Sequence, residues 1–140
     1  MSQLMYDAAA AAGYERGFAR ISSHFIPFLL RAGHIARGQR VLDVATGTGL
    51  AAEAALHVIG ADGHLTATDI SEQMVDRARE RLAGAANVAI RVDDGQAMGE
   101  PDDSIDAVLC SLGLMFFPDP ARGLAEFHRV LRPGGYAAVS

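Results

Sequence analysis

The residues of this 140-residue chain that can do chemistry together begin at Asp43, in the run Val41-Leu42-Asp43-Val44-Ala45-Thr46-Gly47-Thr48-Gly49. A short aliphatic and β-branched segment carries a carboxylate into two glycines one residue apart, and an alanine-rich helical pattern follows from Leu50. Strand, glycine turn and helix N-terminus in that order build a ligand site. Glycine lets the backbone approach a nucleotide-like ligand, and the unpaired N–H groups of the first helical turn point at it. Further polar or small residues close the apolar segments downstream: Asp69, Asp93-Asp94-Gly95 and Cys110-Ser111. Asp69 stands about 20 residues beyond Gly49, the position of a carboxylate that accepts hydrogen bonds from both ribose hydroxyls. Ile70 could cover one face of a purine and Met98 the other. Asp94 is placed to accept from an exocyclic amine, and the Gly95 N–H to donate to a ring nitrogen.

Positioning these groups is the task of alternating elements. Residues 40–45, 65–69, 88–92 and 105–110 read as strands, and residues 136–140 begin a fifth after the turn Arg132-Pro133-Gly134-Gly135. A helix over 50–59 stops at Gly60. Ser71 caps another with Met74, Val75, Ala78 and Leu82 on one face, and Asp119-Pro120 starts a third whose stripe is Leu124, Phe127 and Leu131. Strands separated by helices of about ten residues imply an α/β fold: a Rossmann-like, doubly wound, mostly parallel sheet with helices on both faces. In such a sheet ligands bind beyond the carboxyl ends of the strands, where strand order reverses. The first third is helical in pattern and predicts two helices. One spans the alanine run and residues 14–19; the second is capped by Ser22 or Ser23 and carries Phe25, Phe28, Leu29 and Ala32 at helical spacing. The expected organisation is a helical cap over 1–36 and a ligand-binding core over 37–140. Because the sequence stops inside the fifth strand, the core is expected to be truncated there.

Composition narrows the function. The net charge is −5, there is no Lys, and the Arg residues are scattered, which argues against capture of nucleic-acid phosphates. No apolar run approaches ~18 residues, so no membrane span is expected. The first residues lack the basic and apolar regions of a secretory signal, and Cys110 is alone, so a cytoplasmic location is expected. His24, His34, His57, His64 and His128 show no metal spacing, and Asp102, Asp103 and Asp106 lack the calcium-loop pattern; no metal is expected.

In order along the chain, these motifs resemble the class I S-adenosylmethionine (SAM)-dependent methyltransferases, and among them the methyltransferase type 11, UbiE-like family. The resemblance rests on residues 41–49, on the acidic strand end at Asp69, and on Asp94-Gly95-Gln96-Ala97-Met98 with Pro101-Asp102-Asp103-Ser104-Ile105-Asp106. The runs at 111–119 and 130–135 complete it, so that it covers most of the chain from residue 37. It implies SAM as cofactor and S-adenosylhomocysteine (SAH) as product. The implied cofactor-binding residues are Asp43, Ala45, Thr46, Gly47, Gly49, Asp69, Ile70, Met74, Asp94, Gly95 and Ser111. In the resemblance Gly47 and Gly49 approach the methionine part, and Asp43 orders the loop and favours positive charge. Asp69 holds the ribose, Asp94 the adenine amine, and the backbone near Ser111 faces the ammonium. Tyr14 and Arg20, in the covering helices, could reach the ligand carboxylate. Gly99-Glu100 stands where the family often has Pro-Phe. The implied reaction is methyl transfer to a small-molecule acceptor by in-line displacement; no residue identifies itself as a general base.

Two other readings stay open on the sequence. Gly47-Thr48-Gly49-Leu50-Ala51-Ala52 satisfies a dinucleotide pattern with Ala in the third glycine position, as in an NAD(P)-dependent oxidoreductase, although Asp43 sets a carboxylate where a pyrophosphate would lie. A non-catalytic SAM-binding fragment is the other, completed by a partner chain or a second copy in a homo-oligomer, because an incomplete sheet leaves an edge open to association.

Overall fold

The computed structural model describes residues 8–140, with backbone alone for 8–12, 14 and 15. Five strands, β1 (Arg40–Val44), β2 (His64–Asp69), β3 (Val88–Val92), β4 (Ile105–Cys110) and β5 (Leu131–Val139), form one sheet in the order β3-β2-β1-β4-β5. Every neighbouring pair is parallel. From β1 the chain steps outward through β2 to β3, then returns across β1 to lay down β4 and β5. Strand order therefore reverses between β1 and β4, and the crevice expected at such a point opens above Val44 and Cys110.

Side-chain alternation along the buried strands divides the interior into two layers. Val41, Leu65, Ala67, Ala107, Leu109 and Ala138 face the helices α1 (Ala8–Ala32), α2 (Leu50–Ile59) and α3 (Glu72–Arg81). Leu42, Val44, Ile105, Val108 and Cys110 face α4 (Pro120–Val130), with Phe127 and Val130 pressed onto them. Helices on both faces of a parallel sheet are the doubly wound arrangement expected. The capping residues behave as their types dictate: the Ser71 hydroxyl accepts from the Met74 N–H, and Asp119 accepts from the Arg122 N–H ahead of Pro120 at the first turn of α4.

Of the stripe predicted for α4 only Phe127 holds, since Leu124 is exposed and Leu131 belongs to β5; two further expectations need correcting. The N-terminal segment is one helix of 25 residues, not two, and Ser22 and Ser23 lie in its middle with Pro27 beyond them. Gly13 and Gly17 each cost about 1 kcal/mol of helix propensity. Packing overrides that cost, because Ala19, Ser22, Ile26 and Leu29 form a continuous buried face. Phe25 and Phe28, assigned to the apolar face by spacing, are exposed. The Ser22 hydroxyl is buried without a hydrogen-bond partner among the described residues. Ser22→Ala should therefore raise stability by about 1 kcal/mol, read from the urea midpoint.

The second correction concerns β5, which begins at Leu131 rather than Tyr136. Leu131 pairs with Ile105, and the next partner pair is Ala107 with Tyr136, so Arg132-Pro133-Gly134-Gly135 bulges out of the ladder. The glycines suit that bulge. Gly134 has φ +85°, and a Cβ on Gly135 would lie 2.7 Å from the Asp106 carbonyl oxygen. Asp106 holds the bulge in place by pairing with Arg132 while accepting from the Arg40 N–H at 2.7 Å.

Candidate functional site

At the carboxyl ends of β1, β2 and β3 a set of short hydrogen bonds draws the expected residues together. The Gly47 N–H donates to Asp69 Oδ2 at 2.9 Å, and the Ser71 N–H donates to Oδ1 at 2.9 Å. The Thr46 N–H donates to the Thr68 carbonyl, and the Asp93 N–H to the Asp69 carbonyl. Asp69 is thus the joint between the glycine loop and the next strand end, with lone pairs left on both carboxylate oxygens. Burial raises its pKa above the ordinary carboxylate value, against the pull of the Ser71, Gly47 and Ile70 amides.

The loop leaves β1 through Ala45 in a left-handed conformation, φ 55°, uncommon for a residue with a Cβ. Gly49, at φ 90°, is the N-cap of α2 and supplies no side chain to the helix end. Its missing Cβ also lets α3 come close, since a methyl there would sit 3.4 Å from Ala78. The first turn of α2 consequently presents amides that no N-cap side chain covers.

Asp43 lies beneath this turn at 1 % exposure. The Thr46 hydroxyl donates to its Oδ2 at 2.7 Å, while Oδ1 is buried with no hydrogen-bond partner among the described residues. Burial pushes its pKa up to about 7; the Thr46 hydroxyl and the Ala52 amide oppose that, and the charge of Asp69 adds to it. A buried carboxylate with one oxygen short of a close hydrogen bond is a cost in the free protein, and its charge favours a cation near the loop above it.

Two loops converge on the same crevice. A Cβ added at Gly113 would lie 2.5 Å from Ala45 Cβ, and one added at Gly95 would lie 2.5 Å from Phe117 Cζ and 2.9 Å from Val44 Cγ1. The β3–β4 and β4–α4 connections are thereby pressed onto the end of β1. Gly95→Ala should destabilise the fold by about 1–3 kcal/mol through overpacking, measurable by urea denaturation.

The expected residues occupy distinct places in this arrangement. Asp43, Thr46, Gly47, Gly49 and Gly95 are buried in its floor; Ala45, Asp69, Asp94 and Ser111 are half-buried around it. Ile70 stands on the rim, 70 % exposed. Met74 is buried in α3 behind Ser71, and Met98 is packed among Val44, Phe127 and Val130, so it serves the core rather than a purine face. Arg20 is exposed on α1, and the Tyr14 side chain lies outside the described residues. Sequence reasoning missed Gly113 and Gln96. Gly113 carries no local signal, because the Ala45 contact that requires it is non-local. Gln96 could have been found from its place two residues after Asp94, where a side-chain amide reaches back to the carboxylate. Its N–H and Nε2 both donate to Asp94 Oδ1, at 2.9 and 3.3 Å.

Away from this crevice, a shallow hollow of about 370 Å³ between α2 and α3 is lined by Leu56, His57, Arg81 and Asn87 near the amino ends of the strands. It gathers no comparable set of buried polar groups. Among the described residues no cluster has metal-ligand character, and no helix is long and apolar enough to cross a membrane.

Comparison with known proteins agrees with this geometry. Residues 41–135 match the family model described as a methyltransferase domain. The chain is 46 % identical over 102 residues to a demethylmenaquinone methyltransferase of Clavibacter sepedonicus, an alignment covering 73 % of this chain and 40 % of that protein. It is 33 % identical over 115 residues to the ubiquinone/menaquinone biosynthesis C-methyltransferase UbiE of Proteus mirabilis, covering 80 % of this chain and 46 % of the relative. The chain thus spans less than half the length of these curated relatives. Among solved structures, a SAM-dependent methyltransferase of Aquifex aeolicus superposes with a TM-score of 0.83 at 25 % identity, over 95 % of this chain and 71 % of that one.

Proposed function

Since this chain belongs to the class I SAM-dependent methyltransferases, of the UbiE-like type, we propose that the crevice between β1 and β4 binds SAM for methyl transfer to a small-molecule acceptor. The observation that carries this reading is the Asp43 carboxylate, buried with one oxygen unpartnered beneath the glycine loop. SAM bears a sulfonium and an ammonium, which such a carboxylate attracts; a dinucleotide would bring a pyrophosphate to the same loop and meet repulsion. In this reading Gly47 and Gly49 give the methionine part close access to the backbone, and Asp69 accepts from the ribose hydroxyls. Ile70 and Met74 bound the nucleoside side, Asp94 and Gly95 meet the adenine edge, and Ser111 with its neighbours faces the ammonium.

When bound, SAM supplies an already activated methyl group. The chain's own contribution is alignment: a loop pinned to Asp69 and a carboxylate for the cation. Met115 and Phe116, exposed beside the β4 end, offer an apolar rim to the acceptor. The named activities of the quinone-pathway relatives support an apolar aromatic acceptor there. The lone, buried Cys110 is compatible with work in the cytoplasm, its pKa pushed up to about 12 by burial and the nearby Asp43 charge, which leaves it an unreactive thiol.

Isothermal titration with SAH and, separately, with NAD tests the cofactor. Binding of SAH at micromolar level with no NAD heat is expected. The opposite pattern would refute the proposal. Methyl transfer from labelled SAM to demethylated quinone analogues then tests the acceptor class.

A further inference from the structure

Resting on the SAM reading above, we propose that α4 sets the base specificity of the pocket from outside it, through Gln96 and Arg129 as positioning residues that fix the Asp94 carboxylate and the loop behind it. The connection from Asp93 to Ser104 has no helix or strand of its own to hold its path. One face of α4 holds it instead. Arg122, Glu126 and Arg129 follow one another at spacings of four and three residues, so their side chains line a single ridge.

Each grips backbone of the loop. Arg122 Nε donates to the Gln96 carbonyl at 3.0 Å, and the Met98 N–H donates to Glu126 Oε2 at 2.9 Å. Arg129 donates to the Met98 carbonyl at 3.1 Å and to the Glu100 carbonyl at 2.8 Å. The same guanidinium binds both oxygens of Glu126, at 2.8 and 2.9 Å, which orients that carboxylate toward Met98 and holds it below the ordinary carboxylate range. Asp102, at 2.7 Å from Nη1, closes the set.

Gln96 carries this grip to the ligand side. Its Oε1 accepts from the Asp119 N–H at the start of α4, at 2.8 Å, which turns Nε2 toward Asp94 Oδ1. With Oδ1 held by the Gln96 N–H and amide, Oδ2 is left without a hydrogen-bond partner among the described residues. A carboxylate fixed in one rotamer with one free oxygen selects a donor at the base edge. An adenine amine is such a donor; the C6–H of unsubstituted purine is not.

The test compares SAH with its 6-deamino (purine) analogue, which differs only in that amine, by titration against the full chain and its Gln96→Ala, Arg129→Ala and Arg129→Lys variants. The parent chain should prefer SAH by about tenfold or more, the scale of one charge-assisted hydrogen bond. Gln96→Ala and Arg129→Ala should each lower SAH affinity while leaving the 6-deamino analogue nearly unchanged, so that the preference collapses toward one. Arg129→Lys should restore part of it. A preference retained in both alanine variants would overturn the proposal and leave the cofactor reading standing, whereas no SAH binding by the parent would remove that reading and the proposal with it. If Arg129→Ala does not fold, the half-buried Gln96→Ala, which removes no core packing, decides the matter alone.

Discussion

Replacing Asp69 with alanine is expected to weaken SAH binding by about 100-fold or more, the largest effect of any single change in the crevice. Two losses combine in it. The ribose hydroxyls lose a charged acceptor, and the Gly47 and Ser71 N–H groups, now bound at 2.9 Å, lose theirs. The second loss loosens the glycine loop that the methionine part needs. Asp69→Asn separates the two contributions: an amide oxygen can still accept from one backbone N–H, so its thermal unfolding should stay nearer the parent than that of the alanine variant, while affinity still falls. Titration and melting curves on the three proteins check this; unchanged SAH affinity in both variants would be incompatible with the proposed ribose contact.

The second large effect is on pH. The native pKa of Asp43, about 7, lies above the ordinary 3.8, so the folded protein holds more protons than the unfolded chain between those values. Stability contributed at this site therefore falls as pH rises from about 4 to about 7 and is flat on either side. At 1.36 kcal/mol for each pH unit, the loss amounts to about 4 kcal/mol. Asp43→Asn carries no such titration. It should match the parent below pH 4 and exceed it in stability by several kcal/mol above pH 7, as urea midpoints across that range would read. Ligand binding should run the other way. A cationic ligand favours the ionised carboxylate, so the parent should release a proton on binding SAM near neutrality, and its affinity for SAM should rise with pH through that region. In the Asp43→Asn variant the affinity should be lower and flat. Titrations in two buffers of different ionisation heat measure the released proton directly.

How much of this was legible in the sequence depended on the range over which each residue acts. The four strand ends were legible because each is a local pattern: an aliphatic run closed by Asp or a small residue. The caps Ser71 and Asp119 were legible for the same reason, and the parallel, doubly wound character of the sheet followed from alternation, though its strand order did not. The continuity of α1 was not, because what carries the helix through Gly17 and Ser22 is burial against α2 and β5, elements distant in sequence. The Met98 side chain misled in the same way: beside Asp94 it looked like a pocket residue, and only the position of Phe127 turns it inward. Ala45 and Gly113 formed the least visible pair, since neither is unusual until β4 lies next to β1.

That adjacency has a consequence for how the protein comes to be folded. Val41 to Asp43 must find Ala107 to Leu109, some 66 positions along the chain, with the β2 and β3 units looped out between them. Pairings of such long sequence separation are slow to form, because loop closure must be completed before the contact stabilises anything. The helix-linked β1–β2 and β2–β3 pairings are closer in sequence and have the head start. The two walls of the crevice, Ala45 on one side and Gly113 on the other, therefore meet late. A chain emerging from the ribosome has no crevice until β4 has been made, and the ligand can act on folding only by trapping this last docking step.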